Sequence, residues 1–216
     1  MNTVKLTNVT KIIKKRTILS NINLTLEKGN IYGLYGRNGS GKTMLIRIIS
    51  GLILPSSGTV EVFGQRIGKD ISFPQSMGLT IENVGFWPRY TGIECLELLA
   101  SIKHEINTEQ IREALKTVGL DPDDKRKYYQ YSLGMKQKLA IAQALMENPE
   151  LILLDEPTNS LDEESVLEVR KILMREKERG ALIVIASHNK EDIHQLADKV
   201  IMINDGQITK MEEVLK

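Results

Sequence analysis

Eight consecutive residues constrain this chain more than any others. Gly36-Arg37-Asn38-Gly39-Ser40-Gly41-Lys42-Thr43 fits G-x-x-x-x-G-K-[ST] without departure. A short apolar run, Ile31 to Tyr35, precedes it and reads as a strand. Met44 to Ser50 follows with helical patterning, and Gly51 is placed to stop that helix. Strand, glycine-rich loop and helix in this order hold a phosphate group. Glycines let backbone N–H groups converge on its oxygens, and the helix N-terminus brings the positive end of its dipole to the same point. Gly36, Asn38, Gly39, Ser40, Gly41, Lys42 and Thr43 are therefore the candidate contacts to a nucleoside triphosphate, ATP in the first instance. Lys42 reaches the β- and γ-phosphates, and the Thr43 hydroxyl is offered to Mg²⁺, which takes hard oxygen ligands. An ordinary glycine-rich turn is the alternative, and the strand and helix on either side argue against it.

A second run completes the chemistry. Leu151-Ile152-Leu153-Leu154 ends abruptly in Asp155-Glu156, and Leu182 to Ala186 is a similar apolar stretch. Neither alternates with polar residues, so both read as strands buried on two faces, as in a parallel sheet covered by helices. Such sheets present ligands beyond the carboxyl ends of their strands. Asp155 is placed to hold Mg²⁺ through its water shell, and Glu156 to orient or deprotonate the water that attacks the γ-phosphorus. Without the phosphate loop, the acidic pair could equally be a polar exit from the core.

The remaining sequence fills in an α/β fold. Val4 and Leu6, then Ile22, Leu24 and Leu26, alternate with polar residues as half-buried strands do. Residues 81–132 carry helical spacing instead, with Ile93, Leu96 and Leu99 and then Ile111, Ala114, Leu115 and Val118 before Gly119. This gives one domain over 1–216, an α/β core at 1–80 and 133–216 and a helical subdomain at 81–132. Lys199 to Ile203 and Gln207 to Thr209 flank Asn204-Asp205-Gly206, a hairpin signal.

Composition narrows the partners. Lys plus Arg number 29 against 28 for Asp plus Glu among 216 residues, so the net charge of +1 supplies no pull toward nucleic acid or anionic lipid. The single cysteine, Cys95, lies in an apolar helical pattern and reads as core, which fits a reducing cytoplasm. No stretch approaches the roughly 18 apolar residues of a spanning helix. If the protein works at a membrane, another chain crosses it.

Three further motifs make the chain resemble the ABC transporter ATPases over nearly its whole length. Tyr131-Ser132-Leu133-Gly134-Met135-Lys136-Gln137 is similar to the family's L-S-G-G-Q signature. Pro157-Thr158-Asn159-Ser160-Leu161-Asp162 resembles the stretch ending in its D-loop, and Ser187-His188 matches the switch-histidine position. The resemblance implies a P-loop NTPase core with a mostly parallel sheet, an N-terminal antiparallel β portion and a helical subdomain. It also implies a head-to-tail ATP-dependent pair, two identical copies or two related subunits. Each ATP then lies between one phosphate loop and the other copy's Ser132 and Gly134. Glu156 and His188 are the expected catalytic residues, with His188 sensing the γ-phosphate, and Asp162 is expected to couple the two sites. The partner is an integral membrane subunit, with the ATPase held at the inner face of the cell membrane.

Four positions depart from the family pattern. Leu133 and Met135 replace a glycine and a glutamine of the signature, and a positive φ at Leu133 would be strained. Ile13 occupies the place of an adenine-stacking aromatic, which predicts looser adenine binding, since such stacking contributes about 1 to 3 kcal/mol per base. Glu82, in Thr80-Ile81-Glu82-Asn83, stands where the family has a glutamine; it is a metal-facing carboxylate or a solvated loop acid. Ser132-Leu133-Gly134-Met135-Lys136-Gln137, with Ile81-Glu82-Asn83 and Thr91-Gly92, resembles bacitracin-resistance and lantibiotic-immunity ATPases, which export peptide antibiotics or related compounds. The chain's end soon after Gly206, without a regulatory domain, favours export as well.

Overall fold

The computed structural model describes residues 3–81 and 85–214. Strands Thr3–Ile13 (β1) and Arg16–Glu27 (β2) pair antiparallel. The turn between them is Lys14-Lys15, both left-handed at φ 47 and 66, and it sets Ile13 opposite Arg16. Ile31–Tyr35 (β3) leads into helix Lys42–Ile49 (α1), and Ser57–Val62 (β4), Gln65–Arg66 (β5) and Met77–Thr80 (β6) follow. Helices Gly92–Ala100 (α2) and Thr108–Thr117 (α3) come next, then a short 3₁₀ turn at Tyr128–Gln130 and helix Leu133–Leu145 (α4). The chain continues through Leu151–Asp155 (β7), Glu163–Glu178 (α5), Leu182–Ser187 (β8) and Lys190–Leu196 (α6). It closes with the hairpin Lys199–Asn204 (β9) and Gln207–Glu213 (β10). Its two-residue turn, Asp205-Gly206, has φ 46 and 74, as the Asn-Asp-Gly signal requires.

These strands form two sheets. One is antiparallel in the order β2-β1-β4-β5; the other runs β10-β9-β3-β8-β7-β6 and is parallel except at the β10 edge. Every residue of β7 and β8 is buried. Leu151 and Leu153 pack on one side with α1 and the antiparallel sheet, while Ile152 and Leu154 pack on the other with α2 to α6. Burial on both faces is why these strands lack polar alternation. Helix α1 lies between the two sheets, which explains buried Leu45, Ile46, Ile48 and Ile49 around its circumference.

The helical region expected at 81–132 contains α2 and α3, with Cys95 fully buried between them and the core. Its apolar side chains do not form a core of their own. Cys95, Leu96, Ile111 and Leu115 join one continuous cluster with Ile152, Leu154 and Ile183 of the parallel sheet. Helix α4 bridges the two parts, because it touches both α3 and β6. Contact with β6 is backbone-close: a Cβ on Gly78 would lie 1.7 Å from the Ala144 carbonyl oxygen.

Candidate functional site

The loop between β3 and α1 is shaped by Gly39 and Gly41, whose φ values of 81 and 112 exclude ordinary side chains. Gly41 is the N-cap of α1 and gives it no side-chain hydrogen bond, whereas the other five α-helices among the described residues are each capped by a side chain. The first N–H groups of α1 therefore keep their donors for something outside the helix. Ser40 is buried and its Oγ has no hydrogen-bond partner. Lys42, also buried, turns its ammonium into the loop and donates to the carbonyls of Gly36 at 2.7 Å and Arg37 at 3.3 Å.

The carboxylates at the end of β7 face this loop. Thr43 Oγ1 donates to Asp155 Oδ2 at 2.7 Å. Glu156 sits in the left-handed region at φ 50, with its Oε1 accepting from both the main-chain N–H and Nδ1 of His188 at 3.0 Å. Its Oε2 is buried without a hydrogen-bond partner. Register accounts for the meeting, since β8 lies beside β7 and pairs Asp155 with Ala186, two residues before His188. Asn38, Gly39, Gly41, Lys42, Thr43, Glu156 and His188 line one cavity of about 550 Å³, within the range of small-molecule sites.

Two hard oxygen donors 2.7 Å apart, Thr43 Oγ1 and Asp155 Oδ2, suit Mg²⁺ held mostly by phosphate and water. Among the described residues no cluster of three His, Cys, Asp or Glu offers a dedicated metal cage. Glu82, the third expected metal contact, lies outside the described residues.

Ile13 does not line this cavity. It ends β1 partly exposed, and the wall beyond the phosphate loop comes from Arg16 and Ile18 on the returning strand β2. The Lys14-Lys15 turn sets Ile13 across from Arg16, and of this pair it is Arg16 that lines the cavity. Arg16 and Ile18 carry no motif, and only the hairpin register could have singled them out.

The signature residues lie elsewhere. Ser132 caps α4, its Oγ accepting from the Met135 N–H at 3.1 Å, which leaves its own O–H free to donate. Leu133 is the first residue of α4, 67% exposed, and is not among the positive-φ residues, so the strain expected there does not arise. Gly134 packs closely within its own chain: a Cβ there would stand 3.1 Å from the Ser160 carbonyl oxygen, a tight contact. Asp162 caps α5 through Ser165 N–H at 2.8 Å, and hydrogen bonds from Ser165 hold its carboxyl below the usual range. Ser132, Gly134 and Asp162 line a separate cavity of about 380 Å³ that shares no residue with the phosphate-loop cavity.

The ABC transporter family model matches residues 19–159. The chain belongs to the ABC transporter ATP-binding family. It is 49% identical over 98% of its length, and 97% of the relative's, to the uncharacterized ABC transporter ATP-binding protein YybJ of Bacillus subtilis. To the bacitracin transport ATP-binding protein BcrA of Enterococcus faecalis it is 40% identical, over 96% of this chain and 67% of that one. The dimeric structure of MJ0796, a bacterial ABC transporter cassette, superposes with TM-score 0.89 at 26% identity over 99% of each chain. A post-hydrolysis state of the same cassette bound to ADP and Pi gives 0.88. The ABC ATPase therefore binds nucleotide and hydrolyses ATP. No described helix is long and apolar enough to cross a membrane.

Proposed function

We propose that this ATPase works as a head-to-tail pair that drives export through separate membrane subunits, and that each ATP lies between the phosphate loop of one copy and the first turn of α4 of the other. The observation carrying this reading is that Ser132 and Gly134 line a cavity that shares no residue with the one lined by Lys42 and Glu156. On this reading a second copy brings its Ser132 and Gly134 to the phosphate held by the first. Gly36, Asn38, Gly39, Ser40, Gly41 and Lys42 then hold the phosphates, Ile18 and Arg16 border the base, and Asp162 sits beside the partner-facing cavity.

Hydrolysis follows from Glu156 and His188. Glu156 Oε2 accepts a proton from water as its oxygen bonds to the γ-phosphorus; the bond from phosphorus to the β–γ bridging oxygen breaks, and ADP and phosphate leave. His188, holding Oε1, fixes the carboxylate for this step. Mg²⁺ on Thr43 and Asp155 would neutralise charge on the phosphates. Loss of the γ-phosphate removes the partner's contacts at Ser132, the pair opens, and the membrane subunits change shape. On this reading the chain works at the inner face of the membrane. The bacitracin relative points to peptide antibiotics or related compounds as the cargo class.

Glu156→Gln tests the site. Turnover should be lost while ATP binding persists, and size-exclusion chromatography with ATP should show a trapped dimer. Normal phosphate release from that variant, or a monomer with ATP bound, would refute the reading.

A further inference from the structure

Gln137 stands on the second turn of α4, half-buried, just beyond the turn that Ser132 caps. Its side-chain amide donates to two successive main-chain carbonyls after β7, Glu156 at 3.3 Å and Pro157 at 3.1 Å. Those carbonyls belong to a strained segment. Glu156 has φ 50, a region in which the Cβ crowds the backbone, and the following Pro157 narrows its choices further. Two main-chain bonds also hold the residue: its N–H donates to Ala186 O at 2.8 Å, and its carbonyl accepts from Asn159 N–H at 3.3 Å. The backbone direction at Glu156 decides where its carboxylate points. A relaxed, extended φ would turn the carboxylate away from His188 and the phosphate loop.

We infer that Gln137 is a positioning residue for hydrolysis: by clamping the main-chain carbonyls on either side of Pro157, it aims the Glu156 carboxylate into the nucleotide cavity. This rests on the reading of Glu156 as the group that activates water. The clamp also links two ends of the machinery, because α4 carries Ser132 at its start and Gln137 one turn later. The aim of the carboxylate thus depends on how α4 is seated against β7.

Gln137→Met keeps the length of the side chain and removes both donors. Its kcat should fall by about tenfold to a hundredfold, the loss expected when a reacting group is misplaced by an ångström or less. KM for Mg-ATP should stay within about twofold, because the phosphate loop is untouched, and slower chemistry should make the ATP-bound pair outlive that of the native chain. An unchanged kcat would overturn the inference. So would a fall in kcat accompanied by loss of ATP-driven pairing, since Gln137 would then serve the pairing face. Gln137→Glu, matched in size but presenting acceptors to the two carbonyls, should lose kcat in the same way, and native kcat in this second variant also overturns it. Glu156→Gln run beside them separates the two readings. Surviving turnover there removes the role of Glu156 itself, whereas an inactive Glu156→Gln with a fully active Gln137→Met removes only the role of Gln137.

Discussion

Thr43 and Asp155, far apart in sequence, meet through a hydrogen bond of 2.7 Å between hydroxyl and carboxylate. The first belongs to the opening turn of α1 and the second to the last residue of β7, so one contact ties the phosphate loop to the carboxylate strand. It brings two hard oxygens to one spot, where they would serve Mg²⁺. Thr43→Val keeps the shape of the side chain and removes the oxygen. The Mg²⁺ concentration needed for half-maximal ATPase activity should rise about tenfold, corresponding to about 1.4 kcal/mol. Nucleotide binding without metal should be unchanged. Titrating Mg²⁺ at saturating ATP, with a fluorescent nucleotide in EDTA as control, measures both.

The wall of the cavity beyond the phosphates makes a different claim from the one suggested by sequence position. Ile18 lines it and Ile13 does not. Truncating Ile18 to Ala should weaken ATP binding about fivefold, close to 1 kcal/mol, by removing apolar surface from contact with the base. Ile13→Ala should change affinity by less than about twofold on the same scale. Equilibrium titration calorimetry of both variants decides between the positions, and a loss confined to Ile13→Ala would restore that residue to the base site.

How much of this was readable in advance depended on where each interaction is encoded. Strands β7 and β8 were legible because burial on two faces leaves an unbroken apolar run. The phosphate loop was legible because its chemistry fixes residue type and spacing together. Strands β4, β5 and β6 escaped notice: β5 is two residues long, and β6 is four residues containing a glycine and a threonine. Helix α5 is so charged that only Ser165, Val169, Ile172 and Leu173 are buried along it. Ile18 illustrates a different limit, since it lines the cavity from the returning strand without any motif to mark it. Gln137 illustrates a third. Its partners are main-chain carbonyls, which leave no trace in the identities of the residues that carry them.

Asp162 supplies a pH signature. Hydrogen bonds from Ser165 hold its carboxyl below the usual Asp range, so the folded state favours the ionised carboxylate. A depressed carboxyl stabilises the fold fully above its unfolded pKa and loses that contribution as pH falls through the lower folded value. Asp162→Asn retains an N-cap and cannot titrate. Melting temperatures of native chain and variant, compared from neutral pH downward, should show the native advantage constant above about pH 5 and shrinking in more acid solution, below the ordinary Asp value near 3.9. Parallel curves over the whole range would show that Asp162 carries no such linkage.

Gly78 offers the sharpest test of how α4 is seated. A methyl group there would be directed to a point 1.7 Å from the Ala144 carbonyl oxygen and 2.9 Å from the Pro149 ring. A carbonyl oxygen on a helix cannot rotate aside as a side chain can, so α4 must move away from β6. Overpacking of this kind costs about 3 kcal/mol or more, and for a chain of this size that is about 6 to 12 °C of melting temperature. The displacement should also reach hydrolysis, because Gln137 rides on the same helix and holds the backbone of Glu156. Gly78→Ala is therefore expected to melt earlier and, below its melting point, to bind ATP normally while hydrolysing it more slowly. Calorimetry and steady-state phosphate release on the same preparation check the two effects together, and a variant with native melting temperature would show that α4 does not pack so closely on β6.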